Sequence, residues 1–229
     1  MCVGGVRSIV IFFGLISQKQ SNNPTIQQSN NITIQPSNNP TIHPMRIIGG
    51  KFKSRRFNPP AKNWPTRPTT DFAKEGLFNI LINHWDLESL KVLDLFGGTG
   101  SHSYEFISRG CCDVTYVDKF PGCVAFVKKT ARELDIEACI RIVKADVFKF
   151  IGFTGEQYDY IFAGPPYALP AIDAIPGLIF QQQLLKPGGW LVLEHNPNHS
   201  FEEAPHFFQE RRYGKTIFSF FEEMADGEQ

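Results

Sequence analysis

Asp94-Leu95-Phe96-Gly97-Gly98-Thr99-Gly100 closes a short apolar run that starts at Val92 and leads into a stretch of helical spacing from Ser103 to Ser108. A strand that ends in a carboxylate, turns through glycines and enters a helix sets an acid and bare backbone at the carboxyl edge of a sheet. Open α/β sheets bind their ligands at that edge. Gly98 and Gly100 let the main chain approach a ligand closely and take torsions closed to other residues.

Outward from this loop the same grammar repeats. Val92 to Phe96, Val114 to Asp118, Ile140 to Lys144, Tyr158 to Ala163 and Trp190 to His195 read as strands, while Gly122 to Leu134 and Ala171 to Leu185 read as helices between them. Such alternation implies a mainly parallel sheet covered by helices on both faces. The ending differs: Phe207 to Tyr213 and Thr216 to Phe221, joined around Gly214-Lys215, read as a hairpin that brings an antiparallel strand to the sheet.

The dinucleotide fingerprint would need a third glycine at position 103, which is Ser103 here. A pyrophosphate ligand therefore loses ground to S-adenosylmethionine, whose sulfonium and ammonium make Asp94 a suitable counter-charge. Asp118 closes the second strand, where a carboxylate can accept both ribose hydroxyls. Asp146, in Lys144-Ala145-Asp146-Val147, is expected to reach the adenine amine. The expected cofactor set is Asp94, Phe96, Gly97, Gly98, Gly100, Asp118, Lys119, Asp146, Val147 and Ala163. The fold class expected is α/β, a Rossmann-like class I methyltransferase domain with a seven-stranded sheet and an antiparallel C-terminal strand.

Charge is balanced in total, 23 Lys and Arg against 23 Asp and Glu, but not along the chain. No acid precedes Asp71, whereas Arg46, Lys51, Lys53, Arg55, Arg56, Lys62 and Arg67 crowd one stretch. That asymmetry points to a polyanionic partner. Arg46 to Lys53 reads as strand, Gly49-Gly50 turn and strand, a small basic hairpin, after which Pro59, Pro60, Pro65 and Pro68 keep the chain extended. A helix is expected from Asp71 to Asn83, with Phe72, Leu77, Phe78, Leu81 and Ile82 on its apolar side.

Before Met45 the octapeptides SNNPTIQQ, SNNITIQP and SNNPTIHP follow one another. Polar, Asn-rich and Pro-rich sequence of this kind buries too little apolar surface to order itself. The expected organisation is thus a disordered 1–44, read as translated upstream sequence, then a basic hairpin and arm over 45–70 that would contact the polyanion, a methyltransferase domain over 71–224 and a tail over 225–229. The apolar stretch Ile9 to Ile16 is too short to span a bilayer and lacks a following cleavage site. The five cysteines show no zinc spacing and are expected as reduced thiols in a cytoplasmic protein, and the histidines suggest no metal.

Ala163-Gly164-Pro165-Pro166-Tyr167 follows the fourth strand. It resembles the loop of enzymes that methylate exocyclic amines of bases, in which Asp or Asn precedes Pro-Pro and an aromatic. Two prolines make a stiff turn that fixes carbonyls and ring relative to the methyl donor, and the Tyr167 ring can stack on a flipped-out base. Gly164, Pro165, Pro166 and Tyr167 are the candidate catalytic residues.

The resemblance extends from Met45 onward. Met45-Arg46-Ile47-Ile48-Gly49-Gly50-Lys51, Arg67-Pro68-Thr69-Thr70-Asp71, Glu75-Gly76-Leu77-Phe78-Asn79-Ile80-Leu81, the Asp94 loop and Ser108-Arg109-Gly110 resemble the bacterial 16S rRNA guanine-N2 methyltransferases of the RsmD type. That resemblance implies 16S rRNA in the 30S subunit as partner, a guanine amine as acceptor, and a monomer without membrane or metal. The RNA-binding set expected is Arg46, Lys51, Lys53, Arg55, Arg56, Arg67, Thr69 and Thr70.

Gly164 departs from the family, which has Asp or Asn there. A hydrogen bond to a charged group contributes about 1.5–3 kcal/mol. Its loss from a transition state slows transfer roughly ten- to a hundredfold, so transfer is expected to be impaired. Two rival readings stay open: a DNA adenine-N6 methyltransferase, which shares the Pro-Pro-aromatic loop, and a ribosome-assembly protein that kept the fold without turnover.

Overall fold

The computed structural model describes residues 45–59 and 69–224. The octapeptide segment, the tail, Lys62, Arg67 and the prolines from Pro60 to Pro68 lie outside the described residues.

The chain runs β1 (Met45–Arg46), β2 (Arg56–Phe57), α1 (Asp71–His84), β3 (Lys91–Leu95), α2 (Ser101–Ser108), β4 (Asp113–Asp118), α3 (Pro121–Leu134), β5 (Ile140–Lys144), α4 (Val147–Phe153), β6 (Tyr158–Ala163), α5 (Ile175–Gln181), β7 (Leu185–His195), β8 (Phe207–Tyr213) and β9 (Thr216–Glu222). Strands β3 to β9 form one sheet in the order β5-β4-β3-β6-β7-β9-β8. β3 to β7 are parallel, β9 pairs antiparallel with β7, and β8 with β9.

The central strands are nearly continuous apolar runs because both faces are covered. One core layer gathers Leu77, Phe78, Phe106, Val127 and Phe218, the other Leu93, Val117, Ile161, Ile179 and Leu193. α3 shows how sequence makes a layer: Cys123, Val124, Val127, Thr130, Ala131 and Leu134 fall on one helical stripe and are buried, and Pro121 opens the helix where a missing N–H costs nothing. The strand order reverses between β3 and β6, which are neighbours although two strands separate them in sequence. Ligands bind at such a switch point, beyond the carboxyl ends of the strands.

Several expectations need correction. The expected helix from Ala171 to Leu185 is a 3-10 turn, Ile172–Ala174, followed by α5. Pro176 starts α5, and Gln183, at a positive φ of 52°, turns the chain into β7, which pairs through Leu185 with Tyr158 before a register shift. α4 was not foreseen, since seven residues give too short a pattern to read. On α1, Phe72 is 71% and Ile82 51% exposed, while Lys74 is buried with Ala73.

The basic hairpin pairs Met45 with Phe57 and Arg46 with Arg56, so the second strand lies beyond the expected Lys51 to Lys53. Gly50 does not serve a two-residue turn. Its φ is 71° and a Cβ there would stand 1.8 Å from the Ser108 carbonyl oxygen, so glycine is needed for the loop to lie against α2. Ser108 fixes that contact: its carbonyl accepts from Lys51 N at 2.6 Å, and its hydroxyl accepts from Phe52 N and donates to the Gly49 carbonyl. Met45, Ile47 and Phe57 point into the core, leaving Arg46, Lys51, Lys53, Arg55 and Arg56 exposed.

Beneath the hairpin lies a buried ionic cluster. Lys74 Nζ donates to the Arg46 carbonyl at 2.6 Å, to Ser101 Oγ at 3.1 Å and to Glu105 at 3.2 Å. Glu105 also pairs with Arg109 and accepts from Ile48 N at 2.8 Å. Paired charges of this kind are the tolerated form of burial.

The cysteines are not all reduced. Cys112 and Cys139 form a disulfide with their Cα atoms 4.1 Å apart, while Cys111 and Cys123 are free and buried. The β4 and β5 register, Val114 opposite Ile140, brings the two residues together at the amino ends of those strands. Among the described residues no helix is long and apolar enough to cross a membrane, and no cluster of side chains could hold a metal ion.

Candidate active site

A cavity of about 380 Å³ opens at the carboxyl ends of β4, β3, β6 and β7. Four stretches line it: Asp94 with Phe96 to Thr99, Asp118 to Phe120, Gly164 to Ala168, and Glu194 facing Thr69. Ser101, His102, Val147 and Phe162 complete the wall.

Asp94 is 1% exposed. Its Oδ2 accepts from Ser103 Oγ at 2.6 Å and Ser103 N at 3.2 Å, and its buried Oδ1 has no hydrogen-bond partner among the described residues. Burial lifts this carboxyl from 3.8 to about 7, against the opposing pull of the Ser103 bonds. An orphaned acceptor in a cavity wall fits a cationic ligand, which would supply the charge the protein withholds. Ser103, the residue that counts against a dinucleotide, is what orients the acid.

The loop after Asp94 is shaped for close approach. Phe96, Gly98 and Gly100 have φ of 56°, 53° and 78°. A Cβ on Gly97 would fall 2.4 Å from the Tyr116 ring, and Tyr116 Oη donates to the Gly98 carbonyl at 2.7 Å, so the turn is packed from below. Asp118 ties the loop from the next strand, accepting from Gly98 N at 2.9 Å and from Phe120 N at 2.7 Å.

Of the expected cofactor residues, Asp94, Phe96, Gly97, Gly98, Asp118, Lys119 and Val147 line the cavity. Gly100 and Ala163 are not in its wall: Gly100 N donates to the Gly97 carbonyl at 2.8 Å within the loop, and Ala163 is buried at the end of β6. Asp146 caps α4, its Oδ1 accepting from Phe148 N at 3.1 Å and Lys149 N at 3.4 Å; it stands just outside the cavity wall, with Oδ2 3.8 Å from the cavity residue Lys119. A capping acid and a ligand-binding acid look alike in sequence, because both follow a strand and precede a helix.

Gly164, Pro165, Pro166 and Tyr167 all line the cavity, opposite the glycine loop. Gly164 N donates to the Leu95 carbonyl at 3.2 Å, which locks the catalytic-loop candidate to the end of β3. Tyr167 Oη donates to Glu194 Oε1 at 2.9 Å, and Thr69 Oγ1 donates to Glu194 Oε2 at 2.5 Å. Thr69, expected to contact RNA, thus belongs to the cavity. Thr70 caps α1, its hydroxyl accepting from Ala73 N at 3.2 Å.

Glu194 and His102 are among the cavity residues that the sequence did not single out. Glu194 sat inside an apolar strand with no motif around it, and His102 is one step inside a helix. His102 stacks on Phe162 with centroids 3.8 Å apart and an interplanar angle of 13°. Burial, with Lys74 and Arg109 nearby, pushes its pKa well down, so the ring is neutral packing. His195 is turned from the cavity towards Ser219, 2.8 Å from its Nε2.

Sheet order, the glycine loop at the switch point and the Pro-Pro-Tyr loop facing it define a Rossmann-like methyltransferase domain. The chain belongs to the family described as Conserved hypothetical protein 95, which it matches over residues 45–222, and the resemblance to the RsmD type holds at that level. A Bacillus subtilis protein provisionally named as an rRNA methyltransferase, YlbH, is 32% identical over 155 residues, 66% of this chain and 83% of the relative. The ribosomal RNA small subunit methyltransferase D of Escherichia coli K12 is 24% identical over 188 residues, 80% of this chain and 92% of that protein. Among solved structures, the Thermus thermophilus 16S rRNA guanine-N2 methyltransferase RsmC, in complex with AdoMet and guanosine, superposes with a TM-score of 0.56 at 21% identity. That match covers 69% of this chain and 44% of RsmC.

Proposed function

We propose that this protein transfers a methyl group from S-adenosylmethionine to the exocyclic N2 amine of a guanine in 16S rRNA, presented by the 30S particle, as a cytoplasmic monomer. One observation carries the reading: the Asp94 to Thr99 loop and the Gly164 to Tyr167 loop face each other across one cavity. When bound, S-adenosylmethionine would supply an electrophilic methyl on a cationic sulfur; the amine lone pair takes it, the carbon–sulfur pair returns to sulfur, and the proton that the methylated amine sheds leaves to water.

Asp94 offers its unpartnered oxygen to the amino-acid end of the donor, and Asp118 stands where the ribose hydroxyls would lie. Asp118 also holds the Gly98 amide, so the same carboxylate shapes the loop and faces the ligand. Tyr167, on the stiff Pro165-Pro166 turn, offers its ring to a base removed from its stack, an arrangement worth about 1–3 kcal/mol. Orientation matters here because the base amine is a poor nucleophile, its lone pair being delocalised into the ring.

The exposed cations Arg46, Lys51, Lys53, Arg55 and Arg56 grip phosphates without reading sequence. Their hairpin is bonded to α2, the helix that starts at the glycine loop, so the RNA grip and the methyl donor share one rigid support. Tritiated methyl transfer to 30S particles, naked 16S rRNA and duplex DNA tests the proposal, with mass-spectrometric mapping of the product. The expected result is N2-methylguanine in 16S rRNA from particles; a preference for adenine N6 in duplex DNA would refute it.

A further inference from the structure

Position 164 has no side chain to receive the acceptor amine, yet the cavity wall beside it holds a carboxylate. β6 and β7 are parallel with Ala163 opposite Leu193, so one step further Gly164 and Glu194 stand together at the carboxyl ends of neighbouring strands. Strand neighbours lie about 4.8 Å apart. Side chains alternate along a strand, so Glu194 projects on the face of Val192 and Phe162, the face an acid at 164 would use. Glu194 is 5% exposed and lines the cavity. It also sits two strands away from Asp94, on the Tyr167 side and away from the glycine loop.

We propose that Glu194 is the residue that selects guanine, its two carboxylate oxygens receiving N1–H and N2–H of the flipped base in place of a side chain at position 164. This rests on the guanine-N2 reading above. Guanine alone among the four bases presents two adjacent donors, N1–H and N2–H, on its Watson–Crick edge, the edge by which flipped bases are read. An ionised carboxylate accepts at both oxygens and donates at neither. Adenine would set the N1 lone pair against it. The hydroxyls of Thr69 and Tyr167 help to fix the carboxylate, at 2.5 and 2.9 Å, one on each oxygen. Tyr167 thereby stacks on the base and orients the group that reads its edge.

Glu194→Gln separates recognition from support. An amide can accept from one hydroxyl and donate to the other, so the tie between Thr69 and Tyr167 survives, but the pair of acceptors is lost. The substrates are 30S particles reconstituted with guanine or with 2-aminopurine at the nucleotide that the wild type methylates. 2-Aminopurine keeps the N2 amine and replaces N1–H by an acceptor, which suits Gln and not Glu. The expected result is a fall in kcat/KM on guanine of roughly ten- to a hundredfold, S-adenosylmethionine affinity within about threefold of wild type, and a reversed preference towards 2-aminopurine. Thr69→Val and Tyr167→Phe retain the carboxylate and are expected to keep the preference for guanine whatever their rates. Glu194→Gln turnover on guanine within threefold of wild type, an unchanged ratio between the two bases, or loss of the guanine preference in Thr69→Val would each overturn the inference. A wild type that places no methyl on guanine N2 instead refutes the function proposed above, before Glu194 is tested.

Discussion

If Asp94 receives the donor as proposed, donor binding should be proton-linked. The Asp94 carboxyl titrates at about 7 in the folded protein against 3.8 ordinarily, so the folded state holds a proton that the unfolded chain has lost. Stability therefore falls as pH rises from about 4 to 7, by a total of about 4 kcal/mol at 1.36 kcal/mol per unit, and levels off above that window. A cationic donor binds the ionised form, so its dissociation constant should fall about tenfold per pH unit up to pH 7 and then flatten. Asp94→Asn removes the titration. The variant should lose the pH slope in chemical denaturation between pH 4 and 7, and become more stable than wild type at pH 8. It should bind S-adenosylmethionine roughly ten- to a hundredfold more weakly at pH 8, the value of a hydrogen bond to a charged group. Calorimetric titration of the donor at four pH values, beside denaturation of the free protein, gives both slopes. Equal slopes in wild type and variant would refute the linkage.

Gly164→Asp should raise methyl transfer to unmodified 30S particles by less than threefold, because Glu194 already supplies a carboxylate. A ten- to hundredfold gain would mean that the site lacks an acceptor, as position 164 taken alone suggests. The same substitution should cost about 1–3 kcal/mol of stability, since a Cβ there comes within 3.0 Å of Phe162 Cε1 and His102 backs that ring. Lys74→Met should cost about 1–3 kcal/mol, because the Arg46 carbonyl and Ser101 lose their donor while Glu105 keeps Arg109 and the Ile48 amide, lowering the Tm by roughly 2–12 °C for a chain of this size; an unchanged Tm in scanning calorimetry would contradict it. Changing Lys51, Lys53 and Arg55 to Ala together should reduce the slope of log affinity for 30S particles against log salt by about 2–3. An unchanged slope in filter binding would remove the hairpin from the RNA interface.

β3 to β6 were legible because each is a largely apolar run of strand length between turn residues, and their limits came within a residue or so. α4, the division of the segment after Ala171 and the true hairpin pairing were not, since each depends on what packs against a short segment. Phe72 and Lys74 show the limit of periodicity. Helical spacing assigned Phe72 to the core and passed over Lys74, but Glu105 and the Arg46 carbonyl, both distant in sequence, make Lys74 the buried residue.

The sequence by itself determined the class of sheet, the glycine loop behind Asp94, the Pro-Pro-Tyr loop and the bias of the cations towards one arm, because these are local patterns of spacing and charge. Only the tertiary structure placed Asp94 and Asp118 in one cavity wall and gave Asp146 the cap of α4, with its other oxygen 3.8 Å from Lys119. It alone also brought Glu194 to Gly164, through a strand register that no local pattern encodes. A hydrogen bond spanning the 125 residues from Thr69 to Glu194 exists only once the sheet has closed.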